Sequence, residues 1–340
     1  MQNHGAGTLL ATGGNGFVVS HVVRRWLERY PGGRAIVVDA APPDSTACEF
    51  FTPLGARIDF LTGSVLDKNL WSSLEPRDDI VHVVHGAAVT SIDRLVHAEG
   101  RGRPGLAGAR ESIAANIDGG LNLLEFCARL PALTRLVNIS SGSVYGKSGP
   151  DPLPEDGYVA PDGIYAVSKY AAECFTTWAA KDLRLPAVSI RLSGVFGPMD
   201  RQTPARTVRC APRILAEKAI AGETVRVRSY DGAGDFVYVV DVADAILALL
   251  EPARLRFPVY NVAAGALTTI GELVDAFRTR VAALSVEEVS EGEVDIDYPP
   301  SQRYGRYGAY DISRIKADSE WRPRSLANAV ADYLDWLARK

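Results

Sequence analysis

Cysteine is scarce in this 340-residue chain: Cys48, Cys127, Cys174 and Cys210 stand alone, with no C-x-x-C pair and no regular spacing. That excludes a disulfide framework and predicts reduced, mostly buried thiols in a cytoplasmic protein. Cys174, on an apolar helix, reads as core rather than nucleophile. Long hydrophobic runs are absent as well: none approaches the roughly 18 to 20 residues that span a bilayer. The N-terminus lacks the basic start, apolar stretch and small-residue cleavage site of a secretory signal, so a soluble protein with no membrane partner is expected. A net charge of -4 gives no basic field for nucleic acid and leaves anion binding to local arginines. His82 and His85, three apart on a predicted strand, point to opposite faces, so no metal site is expected there.

Alternation of short apolar runs with helical stretches dominates as far as Leu192. TLLAT (Thr8–Thr12), RAIVVD (Arg34–Asp39), ARIDFLTG (Ala56–Gly63), DIVHVVHGAA (Asp79–Ala88), RLVNISS (Arg135–Ser141) and AVSIRL (Ala187–Leu192) read as buried strands. Helices are predicted at Val18–Tyr30, Ala109–Arg129 and Ile164–Asp182. Near-continuous β-branched strands separated by helices indicate an α/β fold, a doubly wound, Rossmann-type parallel sheet. Beyond Leu192 the pattern breaks into loops, a helix at Ile214–Ala221, the strand-to-helix passage FVYVVDVADAILALLE, a strand at Val259–Val262 and helices near Ile270–Ala283 and Leu326–Leu337. Residues 1–192, joined by 236–262, are expected to form the dinucleotide-binding domain. Residues 193–235 and 263–340 would form a smaller C-terminal substrate lobe. The glycine-rich stretch Glu99–Gly108 reads as a mobile loop.

Thr12 ends the first strand, and Gly13-x-x-Gly16 then opens a helix. This arrangement turns backbone N–H groups and a helix N-terminus toward a pyrophosphate. The next strand ends in Asp39, where a carboxylate accepts from the adenosine ribose, so the cofactor expected is NAD rather than NADP. Val19 occupies the place of the third glycine of such loops, whose task is close helix–strand packing. The substitution is expected to push the helix outward slightly without closing the phosphate site.

Tyr165 and Lys169, in GIYAVSKYAAECF, share one helical face. An alcohol that gives up hydride must also lose a proton, and a tyrosine with a pKa of about 10 is a poor base until a nearby cation favours the phenolate. At a few ångströms and an effective dielectric of about 20, that attraction is on the order of 4 kcal/mol before desolvation offsets part of it. Ser141 ends the preceding strand, where sites lie in open α/β sheets, and can hydrogen-bond the reacting oxygen.

Through TGGNGF, VVHGAA, ESIAANIDGGLNLLEFC, ISSGSVYG, YAVSK, RLSGVFGP, DFVYVVDVADAI, YNVAAG and EWRPRSLANAVADYLDW, the chain resembles the extended short-chain dehydrogenase/reductase family of NAD-dependent epimerases and dehydratases. The resemblance implies Tyr165 as acid/base, Lys169 on the nicotinamide ribose and tuning Tyr165, Ser141 on the substrate oxygen, and Asn116 steadying the catalytic region. It implies cofactor contacts at Gly13, Asn15, Gly16, Phe17 and Asp39, and further contacts at Ser64, Val65, Ala87 and Ala88. Thr90 and Ser143 would face the substrate. The helices at Ala109–Arg129 and Ile164–Asp182 would form a homodimer interface.

Three departures bear on the substrate. Gly194 stands where nucleotide-sugar enzymes of the family commonly carry an asparagine, and Gly234 where they carry a diphosphate-gripping arginine. Gly142 and Ser143 replace the Asp-Glu pair of the dehydratases, so elimination of water lacks its acid and base. Arg201, Arg206, Arg209 and Arg213, with Arg303 and Arg306, could supply a replacement anion site or form a salt-bridged face. The expected function is NAD-dependent hydride transfer at a secondary alcohol or ketone of a carbohydrate-like small molecule, neutral or anionic. The alternatives are a nucleotide-sugar epimerase that retains its NAD and a non-catalytic NAD-binding regulator.

Overall fold

The computed structural model describes residues 7–74, 77–90, 106–146, 151–203, 205–206, 209–251, 254–298 and 308–339. In chain order its first half runs β1 (Thr8–Thr12), α1 (Phe17–Arg29), β2 (Arg34–Asp39), α2 (Ser45–Phe51), β3 (Ile58–Thr62), α3 (Lys68–Ser73) and β4 (Ile80–His85). It continues with α4 (Leu106–Ile113), a π-helical turn (Ala114–Asp118), α5 (Gly119–Cys127), β5 (Arg135–Ile139), α6 (Ile164–Asp182) and β6 (Ala187–Leu192). The second half adds β7 (Gly194–Phe196), α7 (Ala211–Ala221), β8 (Val225–Val227), β9 (Ala233–Gly234), β10 (Phe236–Tyr238) and α8 (Val239–Leu250). It ends with β11 (Val259–Val262), β12 (Thr268–Thr269), α9 (Ile270–Arg278), β13 (Val286–Glu288), α10 (Ser313–Asp318) and α11 (Leu326–Leu337).

Among the described residues the main sheet has seven strands in the order β11-β6-β5-β4-β1-β2-β3. Every pairing is parallel. The connection reverses between β1 and β4, which opens a crevice at the carboxyl ends of those strands. β1 is buried along its whole length, as strands covered on both faces must be. A second core lies apart from the sheet, where Phe196, Leu215, Phe236, Phe277, Ile296 and Tyr333 pack together.

Several expectations change here. The helix expected over Ala109–Arg129 starts at Leu106 and is interrupted by the π-helical turn, an irregularity of one extra residue that hydrophobic periodicity does not register. Residues 99–105 lie outside the described residues, while Leu106–Gly108 belong to α4 rather than to a loop. The stretch around Ile312, Ile315 and Trp321, expected in the smaller lobe, packs into the core of the main sheet. Of the cysteines only Cys127 is buried; Cys48 and Cys174 are exposed, Cys174 because the apolar side of α6 that carries it faces outward. His82 and His85 do take opposite faces: His82 accepts from Trp26 Nε1 at 2.9 Å, and His85 Nδ1 pairs with Thr12 Oγ1 at 2.7 Å.

Val19 finds its room across the crevice. A Cβ placed on Gly86 would lie 2.3 Å from Val19 Cγ2, so the bulk that a third glycine removes from the helix is accommodated by a missing side chain at the end of β4. Val19 is 3% exposed. Gly86→Ala should therefore destabilise the protein by about 1 to 3 kcal/mol through overpacking. In a Val19→Ala background the same change should cost less than half as much. Equal losses of thermal stability in both backgrounds would contradict the pairing of these positions.

Candidate functional site

The crevice is lined on one side by the loop that leaves β1. Gly13 adopts φ +71°, and a Cβ there would stand 2.8 Å from the Ala87 nitrogen, so only glycine permits this approach of the two strand-end loops. Gly16 precedes the first turn of α1 in an extended conformation, with no side-chain cap on the helix. The first N–H groups of α1 thus lack a capping side chain, and the helix dipole favours an anion before them.

Asp39 ends β2 and accepts from the Asn15 amide at 3.1 Å and the Ala41 amide at 3.4 Å, while Asn15 Nδ2 donates to the Ala41 carbonyl at 2.8 Å. Burial pushes the Asp39 carboxyl above its usual range. Asn15 Oδ1 is buried without a partner, an acceptor facing no donor. A glycine cradle, an uncapped helix N-terminus, an acidic strand end and an orphaned amide oxygen fit an adenine dinucleotide. Of the other cofactor positions, Val65 lies against Gly119, whose Cβ would meet Val65 Cγ2 at 2.4 Å. Ser64 Oγ accepts from the Leu66 amide at 3.2 Å, and the Ala87 amide points to Thr12 Oγ1 at 3.4 Å. Phe17 is buried at the start of α1.

Across the crevice, Tyr165 and Lys169 project from the first turns of α6. The Ser141 hydroxyl and the Arg206 charge both act on the Tyr165 phenol. Both favour the phenolate, but desolvation outweighs them and leaves Tyr165 above its ordinary pKa. Burial brings Lys169 down to about 8 against an opposing pull from Glu173. The Lys169 charge bears on His85, which burial chiefly holds neutral, at about 3. Arg206, read from the sequence as a candidate substrate residue, is thus a cation that acts on Tyr165.

Asn116, in the π-helical turn, joins the two halves. Its Oδ1 accepts from the Val89 amide at 2.8 Å, and its Nδ2 donates to the Val89 carbonyl at 3.3 Å and to Ser168 Oγ at 2.9 Å. Ser168 in turn donates to the Tyr165 carbonyl at 2.8 Å. Ser168 was missed in the sequence, although it sits inside YAVSK.

The candidate substrate arginines divide. Arg201 is taken up by Asp44 at 2.7 and 3.0 Å and by the Asn15 carbonyl at 3.0 Å. Arg209 pairs with Glu217 at 3.3 Å on the surface, and Arg213 with Glu217 at 2.6 Å and with the buried Asp200 at 3.4 Å. Arg206 also reaches Asp200, at 3.2 Å, but lies over the Phe17 ring at 5.2 Å and next to Tyr165. Arg303 and Arg306 fall outside the described residues.

Thr90 donates from both its amide and its hydroxyl to the Ala205 carbonyl, at 3.0 and 2.7 Å. Ser141 Oγ accepts from the Ser143 amide at 3.2 Å, and Ser143 Oγ is buried without a partner. Gly194 and Gly234 flank one ring: Cβ atoms built on them would lie 3.1 and 2.9 Å from Phe236. A side chain at either position would press on that ring.

A family model for the NAD dependent epimerase/dehydratase family matches residues 9–263. The chain belongs to this family, within the extended short-chain dehydrogenase/reductase group. It is 26% identical over 263 residues to a trifunctional UDP-glucose 4,6-dehydratase/UDP-4-keto-6-deoxy-D-glucose 3,5-epimerase/UDP-4-keto-L-rhamnose-reductase of Arabidopsis thaliana, covering 75% of this chain but only 36% of that protein's length. To the dTDP-D-glucose 4,6-dehydratase of Homo sapiens it is 26% identical over 291 residues, 84% of this chain and 77% of that one. In fold it is similar to a UDP-N-acetylglucosamine 4-epimerase from Methanobrevibacter ruminantium M1, solved in complex with UDP-N-acetylmuramic acid: the TM-score is 0.79 at 23% identity, covering 98% of this chain and 99% of the other.

Because Arg206 lowers Tyr165, Arg206→Met should move the rise of substrate oxidation with pH to higher pH. The pH profile of NAD reduction checks this, and an unmoved profile contradicts it. Lys169 has the opposite bearing on stability: the unfolded chain holds its proton to about 10.5 and the folded chain only to about 8. Stability should therefore rise with pH across that window, and Lys169→Met should flatten the rise seen in the melting temperature.

Proposed function

We propose that the protein interconverts a secondary alcohol and a ketone on a carbohydrate, with Tyr165 exchanging the hydroxyl proton. The observation that carries this reading is that Ser141, just after β5, and Tyr165, at the start of α6, act on one another in a chain whose β1 loop fits NAD. Bound NAD supplies the hydride acceptor. The Tyr165 oxygen takes the proton from the substrate hydroxyl, Ser141 donates a hydrogen bond to the same oxygen, and Arg206 steadies the phenolate and offers its outer edge to an anionic substituent. Gly142 and Ser143 provide neither acid nor base for loss of water, so the dehydratase chemistry named for the relatives is not carried over.

A second reading, epimerisation with retained cofactor, is favoured by one contact. Arg201 reaches from the loop after β7 to both Asp44 and the Asn15 carbonyl, a clasp beside the glycine loop that would slow cofactor exchange.

The partners on this reading are a small-molecule substrate and a second copy of the chain. Val167 and Trp178 on α6 are 51% and 48% exposed, and Ile113 on α4 is 43% exposed, an apolar face that supports a homodimer. Among the described residues no helix is long and apolar enough to cross a membrane. The exposed free thiols of Cys48 and Cys174 suit a reducing compartment such as the cytoplasm.

Purified protein should carry NAD. Absorbance of NADH with UDP-glucose, dTDP-glucose, UDP-N-acetylglucosamine and free hexuronic acids, together with analysis of the sugar products, separates the readings. Net NADH supports a dehydrogenase, and inversion without net NADH an epimerase. Tyr165→Phe should lower the rate by about 100-fold or more, and undiminished activity would overturn the mechanism. Trp178→Glu should convert a dimer into a monomer in light scattering after size exclusion; an unchanged mass would exclude this face.

A further inference from the structure

Gly142 follows Ser141 directly, and the space above it is occupied. A Cβ built on Gly142 would lie 1.7 Å from Tyr310 Oη and 2.5 Å from its Cζ, so position 142 carries no side chain while Tyr310 stands there. Tyr310 is 6% exposed and is held from three sides. Its amide donates to Asp235 Oδ2 at 3.2 Å. Its ring meets the Tyr145 ring edge-on at 5.7 Å and 81°. Its backbone neighbours bracket Leu153, with the Leu153 amide donating to Ala309 at 2.7 Å and the Asp311 amide to Leu153 at 2.9 Å. Tyr145 is itself fixed by a 2.8 Å hydrogen bond to Asn261 Oδ1 and by the Arg191 guanidinium over its ring at 4.7 Å. A phenol is thereby held against Gly142, between Ser141 and Ser143 in sequence, and Ser143 Oγ is buried without a partner.

We propose that Tyr310 is a substrate-binding residue whose hydroxyl, with Ser143, receives a second hydroxyl of the sugar next to the carbon that Tyr165 and Ser141 act on. The inference rests on the reading of Tyr165 as acid/base. A neutral phenol can both donate to and accept from a vicinal hydroxyl but is too weak an acid to drive its departure as water. The same atom that fills position 142 therefore selects polyols and keeps the chemistry to oxidation and reduction.

The test uses the NAD-loaded full chain with UDP-glucose, dTDP-glucose and UDP-N-acetylglucosamine. Tyr310→Phe removes one oxygen and keeps the ring. KM for whichever probe is oxidised should rise about fivefold or more, while kcat, bound NAD and melting temperature stay at their original values. KM within twofold of the unaltered protein overturns the proposal. If the unaltered protein neither oxidises nor inverts any of the probes, the Tyr165 reading fails on its own, and calorimetric titration of the same three probes then judges Tyr310. Weaker binding by Tyr310→Phe supports its role; equal affinity, or no binding to either protein, overturns it. Gly142→Ala should lower the melting temperature alone but not in a Tyr310→Ala background, and equal losses in both would also overturn it.

Discussion

The Asn116 side chain bonds simultaneously to the loop after β4 and to helix α6. Through Val89 it fixes the segment that carries Ala87, Ala88 and Thr90; through Ser168 it reaches the Tyr165 carbonyl. An asparagine has both a donor and an acceptor end, and this site uses both. The π-helical turn is what brings it there, because one extra residue between α4 and α5 re-aims side chains that a regular helix would direct elsewhere. This one buried side chain thus ties the start of α6, which carries Tyr165, to the loop after β4.

Beneath it, a second set of buried charges anchors the middle of the same helix. Glu173 receives the Arg191 guanidinium at 3.0 and 2.5 Å, Arg191 also donates to the Glu155 carbonyl at 3.0 Å, and the Asn261 amide donates to Glu155 Oε1 at 2.9 Å. Arg191 and Glu173 each have side chains 4% exposed, so removing one partner would leave the other charged and buried. Strand β6, helix α6 and strand β11 are thereby held in one register, and Tyr145 lies against the same guanidinium. The loop after β7 follows a comparable rule. Asp200, fully buried, gathers Arg206 and Arg213, so the arginine-rich stretch is organised around a carboxylate rather than displayed to solvent.

Much of this was legible in the sequence for a physical reason: the central strands β1, β4 and β5 are covered on both faces and read as apolar runs, and α6 spans Ile164–Asp182 as its periodicity predicts, whereas β3, read as buried, lies at the sheet edge and is mostly exposed. Gly13, Asp39, Ser141 and Tyr165 were legible because each sits at the end of a strand or the start of a helix, where local pattern and chemistry coincide. What escaped depends on contacts between distant residues. The exchange of bulk between Val19 and Gly86 requires knowing how the helix seats on the sheet. The presence of Arg206 beside Tyr165 depends on a loop whose course no periodicity describes, and Tyr310 reaches Gly142 from the far end of the chain. The three missing side chains at Gly142, Gly194 and Gly234 were visible as departures, yet the rings of Tyr310 and Phe236 that fill their places were not.

Hydrogen exchange on Asn116→Ala tests the central link without needing a substrate. If Asn116 joins the two halves of the site, the Val89 amide, which donates to its Oδ1, will lose protection together with the first turns of α6 around Tyr165 to Lys169, while β1 and β2 keep theirs. Unchanged protection at Val89 and along α6 would contradict the account.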